Sequence, residues 1–190
     1  MTADPQQEVV VYPGGIRARY RWAGTGRGPA VFALSEAGGA LHEYGELVSK
    51  SFERLCRAEL RVESPGGTWA ARLASPLFDA PAGVAWDTAG LLVVKYGFVT
   101  YGLEARTGVL RWSHRSGSPL VAILGSSRLE HVLVQAEIET FAVEADGGVR
   151  WRVAHSDVVA GAELVGGRLV LTSYGGLVSA LDPDTGRAVG

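Results

Sequence analysis

The sequence predicts an all-β chain, a β-propeller-like array of about four to five four-stranded antiparallel blades. Three observations carry this prediction. An alternating apolar run, an acidic residue (Glu104, Glu144, Asp182), a turn glycine and a second strand-like run recur in Val99–Trp112, Phe141–Trp151 and Val178–Gly190. The glycines Gly108, Gly148 and Gly186 stand 40 and 38 residues apart, and a period of roughly 40 residues made of short strands marks a radial β array. Trp69, Trp112 and Trp151 hold one position in the unit, where an aromatic ring buries about 150–250 Å² against the neighbouring repeat.

Each element follows in order. Met1–Glu8 is a polar terminus, Val9–Tyr12 a strand, Pro13-Gly14-Gly15 a turn and Ile16–Trp22 a strand. Arg17, Arg19 and Arg21 share one face of that strand, with Ile16, Ala18, Tyr20 and Trp22 on the other. This pair reads as the second half of a repeat. Ala23–Pro29 is a glycine-rich connection without the Lys-Ser/Thr ending of a phosphate loop; Ala30–Leu34 is a short strand and Ser35–Gly39 a turn. Between Leu41 and Val62 two readings stand, a helical insertion or long strands. Leu41, Tyr44, Leu47 and Val48, then Phe52, Leu55 and Cys56, have helical spacing, while Leu60, Val62 and the Ser64–Gly67 turn read as strand. From Pro81 the units are regular: Gly83–Trp86, Leu91–Tyr96 and Val99–Trp112; Leu120–Leu124, His131–Gln135 and Thr140–Trp151; Val158–Val165, Arg168–Thr172 and Leu177–Leu181. The expected organisation is one domain over 1–190, with diverged repeats in 1–79 and clear ones in 80–190.

At 190 residues and 47% hydrophobic, the chain has enough apolar material for a substantial core. A formal charge of −2 argues against nucleic acid or an anionic membrane as partner. Cys56 is the one cysteine, so an internal disulfide is excluded. The start, MTADPQQEVV, has neither a basic n-region nor an apolar h-region, and no apolar run approaches the ~18 residues of a spanning helix. A cytoplasmic location is expected. Lys50 and Lys95 are the only lysines against a majority of arginines, a bias expected of a bacterial chain.

Ala180-Leu181-Asp182-Pro183-Asp184-Thr185-Gly186 resembles the quinoprotein-type repeat, Ala-x-Asp-x-x-Thr-Gly followed by Trp. Leu103–Gly108 with Trp112, and Val143–Trp151 with a shorter turn, resemble it too. The resemblance to PQQ-like (pyrroloquinoline quinone-like) β-propellers covers 80–190 well and 1–79 weakly. It implies the propeller fold. The quinone-dependent members also carry a vicinal cysteine pair and a calcium-binding carboxylate cluster; this sequence has one cysteine and no such cluster. No cofactor, metal or catalytic residue is expected.

The open ends of such an array can be disposed of in two ways. Ile16–Trp22 can complete the last blade beside Leu177–Leu181 and close the ring, or open edges can pair with a second copy as a homodimer. The expected function is non-catalytic: a protein-binding module of scaffold, regulatory or immunity type, with its contacts on the loop-bearing face. The alternative is a small-ligand-binding protein or enzyme whose site lies in the central funnel. Candidate contact residues are Tyr96 and Tyr174, at matching turns two repeats apart, and His114 and His155, which follow the repeat tryptophans and are expected at one rim.

Overall fold

The computed structural model describes residues 6–23, 39–45 and 55–190. The sixteen strands fall into four sheets set in sequence order. The first sheet holds β1 (Gln6–Tyr12), β2 (Ile16–Ala23), β3 (Ala40–Gly45), β4 (Cys56–Ser64) and β5 (Gly67–Ser75), in the order β1-β2-β4-β5-β3. The second holds β6 (Ala82–Trp86), β7 (Leu91–Tyr96), β8 (Val99–Glu104) and β9 (Leu110–Arg115). The third holds β10 (Leu120–Leu124), β11 (Val132–Ala136), β12 (Glu139–Val143) and β13 (Val149–Ala154). The fourth holds β14 (Val159–Val165), β15 (Arg168–Ser173) and β16 (Val178–Leu181). Pairing among these strands is antiparallel except for β3 on β5, which is parallel.

Three apolar layers lie between consecutive sheets. The alternation of β7 shows how one strand serves two of them. Leu92, Val94 and Tyr96 point into the layer shared with the first sheet, and Leu91 and Val93 into the layer shared with the third. A strand buried on both faces has no polar phase, which is why Leu91–Val94 reads as a continuous apolar run, with Lys95 buried against Asp79. The same holds for β11, whose Val132 and Val134 face back and Leu133 faces forward.

The tryptophans lock successive sheets together. Trp69 Nε1 donates to the Ala105 carbonyl at 2.9 Å, Trp112 Nε1 to Ala145 at 3.1 Å and Trp151 Nε1 to Pro183 at 3.2 Å. Each acceptor is the residue after the recurring acidic one, in the turn of the next sheet. Each ring also lies against that turn's left-handed glycine: Trp69 on Gly108, Trp112 on Gly147 and Trp151 on Gly186. Glycine is needed there twice over, for its positive φ and because a Cβ would strike the indole.

The structure departs from the sequence reading at three places, the repeat glycine of the third sheet, the place of Ile16–Trp22 and the strand number of the last sheet, and settles the strand reading for Leu41–Tyr44. The repeat glycine of the third sheet is Gly147, with φ of 90°, and not Gly148. Gly147 N–H closes the turn on Glu144 one residue earlier than in the neighbouring units. Ile16–Trp22 does not complete the last blade: β2 is paired on both edges, with β1 and β4, and so has no edge to offer β16. Leu41 and Tyr44 lie on β3, where a ladder to β5 outweighs their helical spacing. Cys56–Ser64 and Gly67–Ser75 form a hairpin of two nine-residue strands, as Leu60, Val62 and the Ser64–Gly67 turn read. The last sheet has three strands, extended only by a Leu181–Ala188 bridge. The expected strand at Ala30–Leu34, the Gly24–Gly28 connection, and Leu47, Val48 and Phe52 lie outside the described residues.

Candidate protein-binding rim

The turns at one end of the sheets are joined by a relay of main-chain hydrogen bonds. In the second sheet, the β7–β8 turn accepts from the following connection, Ser116 N to Phe98 O and Leu120 N to Gly97 O, both at 2.8 Å. The third sheet repeats this with His155 N to Ile138 O at 2.8 Å and Val159 N to Glu137 O at 2.7 Å. Leu120 N and Val159 N thereby link the first strands of the third and fourth sheets to the preceding sheet, while Glu137 N to Pro119 O and Tyr174 N to Val158 O extend the pairing within those sheets. The result is a continuous rim with a backbone already satisfied, leaving its side chains free to face solvent.

Those side chains are apolar where the rim crosses the third and fourth sheets. Tyr174 is 84% exposed and Leu177 71% exposed, with Ile138, Val158 and Val178 exposed beside them. Single exposed apolar residues are ordinary, whereas a group of five on and beside connected turns makes a candidate contact surface. A cationic edge runs into the same rim: Arg115 stacks over the Phe98 ring at 5.2 Å, and Arg152 Nε reaches Glu139 at 3.4 Å.

Beneath the rim, a polar chain fixes the β11–β12 turn. Gln135 is buried; its Nε2 donates to the Ala136 carbonyl at 2.7 Å and to Glu139 O at 3.2 Å. Thr140 Oγ1 donates to Gln135 Oε1 at 2.6 Å, and so receives the proton of His155 Nε2, also at 2.6 Å. Burial favours the neutral ring and pulls the His155 pKa below its usual value.

The four expected contact residues separate in the structure. Tyr174 stands on the rim. Tyr96 occupies the matching turn but points inward and is 1% exposed, so it is a core residue and not a surface anchor. Burial raises its hydroxyl pKa far above the ordinary tyrosine value, with smaller contributions from Cys56, Asp79 and Tyr101. His114 and His155 do not share a rim. His114 Nε2 donates to the Gly147 carbonyl at 2.6 Å, past the end of β12, while His155 bonds Thr140 near its start. His114 also packs on Trp112, at 5.7 Å between centroids, and thus completes the joint to the third sheet. Ile138, Val158 and Leu177 belong to the rim but escape sequence reasoning, because an apolar residue in a strand-rich chain reads as core until the turns are placed.

On the inner side, Val121 and Ala122 of β10 and Ala160–Glu163 of β14 line a groove of about 310 Å³, closed by Val170 and Thr172. Glu163 is the titratable residue in that lining. Quinone and calcium chemistry do not fit the residues present: the sole cysteine is buried in β4, and the described residues contain no group of three or more His, Cys, Asp or Glu able to hold a metal. No helix among the described residues is long and apolar enough to cross a membrane.

Residues 97–189 match the family model described as outer membrane protein assembly factor BamB. No curated protein matches the chain. Among solved structures it resembles BamB from Moraxella catarrhalis, at 13% identity and a TM-score of 0.55, over all of this chain and 66% of that one. It resembles HIRA at 11% identity and 0.52, over all of this chain and 53% of that one. The computationally designed Ika8 protein is similar at 13% identity and 0.54, over 72% of this chain and 45% of the other. The chain thus spans about half to two thirds of the length of these structures. At such identities the likeness is one of fold. The match over residues 97–189 and the tryptophan–glycine joints there make this stretch similar to PQQ-like β-propeller repeats, and the solved structures show a β-propeller fold.

Proposed function

We propose that the chain is a non-catalytic, protein-binding propeller module that engages its partner through the rim of the third and fourth sheets. One observation carries this reading: exposed Tyr174 and Leu177 stand on a turn whose backbone is tied down by hydrogen bonds, with exposed Val178 opening β16 beside it. A rigid scaffold that presents aromatic and aliphatic side chains on its loops loses little conformational entropy on binding. The family description, an outer membrane protein assembly factor, names a relative that works among other proteins, which supports the same reading. The inner groove offers Ala, Gly and Val walls and no convergence of polar groups of the kind a catalytic site needs.

The test is capture of binding proteins by the tagged chain and by its Tyr174→Ser and Leu177→Ser variants. A stoichiometric partner retained by the parent chain and lost from both variants supports the rim. A partner held equally by all three overturns it.

A further inference from the structure

The rim is one surface; the outer edge of the first sheet is another, and it carries an unusual occupant. Among the described strands β3 is the one that pairs in parallel, laid along β5 from Ala40↔Trp69 to Gly45↔Ala74. None of its six residues is buried. It is bounded by Gly39 and Gly45, both left-handed. What it covers is well formed. Trp69 is buried and already donates to Ala105, and Tyr101 lies 6.1 Å from the Tyr44 ring.

β3 holds this edge by two means. One is the main-chain ladder, which any extended peptide can supply. The other is a pair of rings at alternate positions that reach the next sheet. His42 Nε2 donates to Thr107 O at 2.8 Å. Tyr44 Oη donates to Gly108 O at 2.8 Å and accepts from Leu110 N at 3.1 Å. In the second sheet the corresponding turn carbonyl, Gly147 O, is taken by His114 of the sheet's own outer strand. In the first sheet the outer strand carries Ala71 two residues beyond Trp69, and that place falls to Tyr44. The recognition elements at this edge are therefore the β5 strand edge that β3 covers and two turn carbonyls spaced for alternate ring donors.

We propose that this edge is a docking site for an extended segment of a partner protein, with β3 as its built-in occupant. The segment pairs in parallel with β5 and carries hydrogen-bonding rings two residues apart, as His42 and Tyr44 are. This rests on the protein-binding reading and names a second surface for it. A strand with no buried side chain is readily replaced by one with the same ladder and the same rings.

A capped, fluorescein-labelled peptide of the Ala40–Gly45 sequence tests the proposal by titration into the full chain and into its His42→Ala, Tyr44→Phe double variant. Loosening the resident strand is expected to tighten peptide binding at least tenfold, and a peptide with both rings replaced by alanine is expected to bind neither protein. Hydrogen exchange on the unsubstituted chain gives an independent readout, with the amides of 40–45 expected to exchange at least tenfold faster than those of β4. Exchange of β3 and β4 in one step overturns the proposal. So does the absence of peptide binding to a double variant that keeps β4 protected. A captured partner lost with Tyr174→Ser but indifferent to His42 and Tyr44 overturns this proposal while leaving the rim standing.

Discussion

Trp112 and Gly147 form the joint between the second and third sheets: the indole N–H reaches the Ala145 carbonyl at 3.1 Å, and a Cβ on Gly147 would stand 2.7 Å from the indole. Gly90 is also left-handed, at φ of 65°, but has open space around it. Gly90→Ala is therefore expected to cost about 1–2 kcal/mol, the left-handed penalty alone. Gly147→Ala is expected to cost about 1–3 kcal/mol more from overpacking. Urea unfolding of the two variants checks the difference.

Lys95 is buried in β7 between both carboxylate oxygens of Asp79, each at 2.9 Å, and the Leu120 carbonyl at 3.3 Å. Asp79 also accepts from Gly97 N–H at 2.8 Å. The pair clips the connection before β6 onto the second sheet and the start of β10. Lys95→Met leaves the carboxylate without its counter-charge and is expected to lower stability by about 3–5 kcal/mol, measured by denaturant unfolding.

Tyr96 has a buried hydroxyl without a hydrogen-bond partner. Tyr96→Phe removes an unsatisfied group and is expected to leave stability unchanged or raise it by up to ~1 kcal/mol. Burial raises the pKa of Tyr20, Tyr96 and Tyr101 above the ordinary value of 10.0. The unfolded chain releases these protons first, so the contribution is intact below pH 10 and is lost as pH climbs toward the folded values. Unfolding free energies taken on either side of pH 10 are expected to fall with pH, less steeply for Tyr96→Phe.

Tyr174→Ser and Leu177→Ser are expected to change stability by no more than about 0.5 kcal/mol, as befits exposed positions away from caps and core. Thermal melts alongside the capture experiment separate a lost contact from a lost fold.

His155 is expected to titrate below 6.5, followed by its ring proton shifts in NMR. Its pKa is lower folded than unfolded, so its contribution holds above the ordinary histidine value and is lost as pH falls through the folded one. Thr140→Val removes the hydroxyl that receives the Nε2 proton and is expected to move the titration midpoint.

The sheets between Ala82 and Leu181 were legible in the sequence because every unit repeats one turn and one ring. The reading slipped at Gly148 because Gly147-Gly148 offers two glycines, and only the position of Trp112 decides between them. Tyr96 was misjudged because a turn position does not tell which way a ring points; here the layer against the first sheet takes it. Of the two ways to dispose of the open ends, completion of the last blade by Ile16–Trp22 fails, because a strand's sequence states its two faces but not its neighbours, here β1 and β4. His42 and Tyr44 were hidden by the same limit: their partners, Thr107 and Gly108, lie more than 60 residues away.

The left-handed glycines that receive the rings, Gly108, Gly147 and Gly186, are 39 residues apart at both steps, although the turns that contain them differ in length. Each following tryptophan comes four residues later, at Trp112 and Trp151. The molecule thus keeps a fixed pitch between joints and lets its corners absorb the slack. Such a chain tolerates a longer or shorter corner at the joints, at the end of the sheets opposite the Tyr174 rim, so long as the glycine still meets the indole. The spacing of the sheets is thereby separated from the length of any one turn.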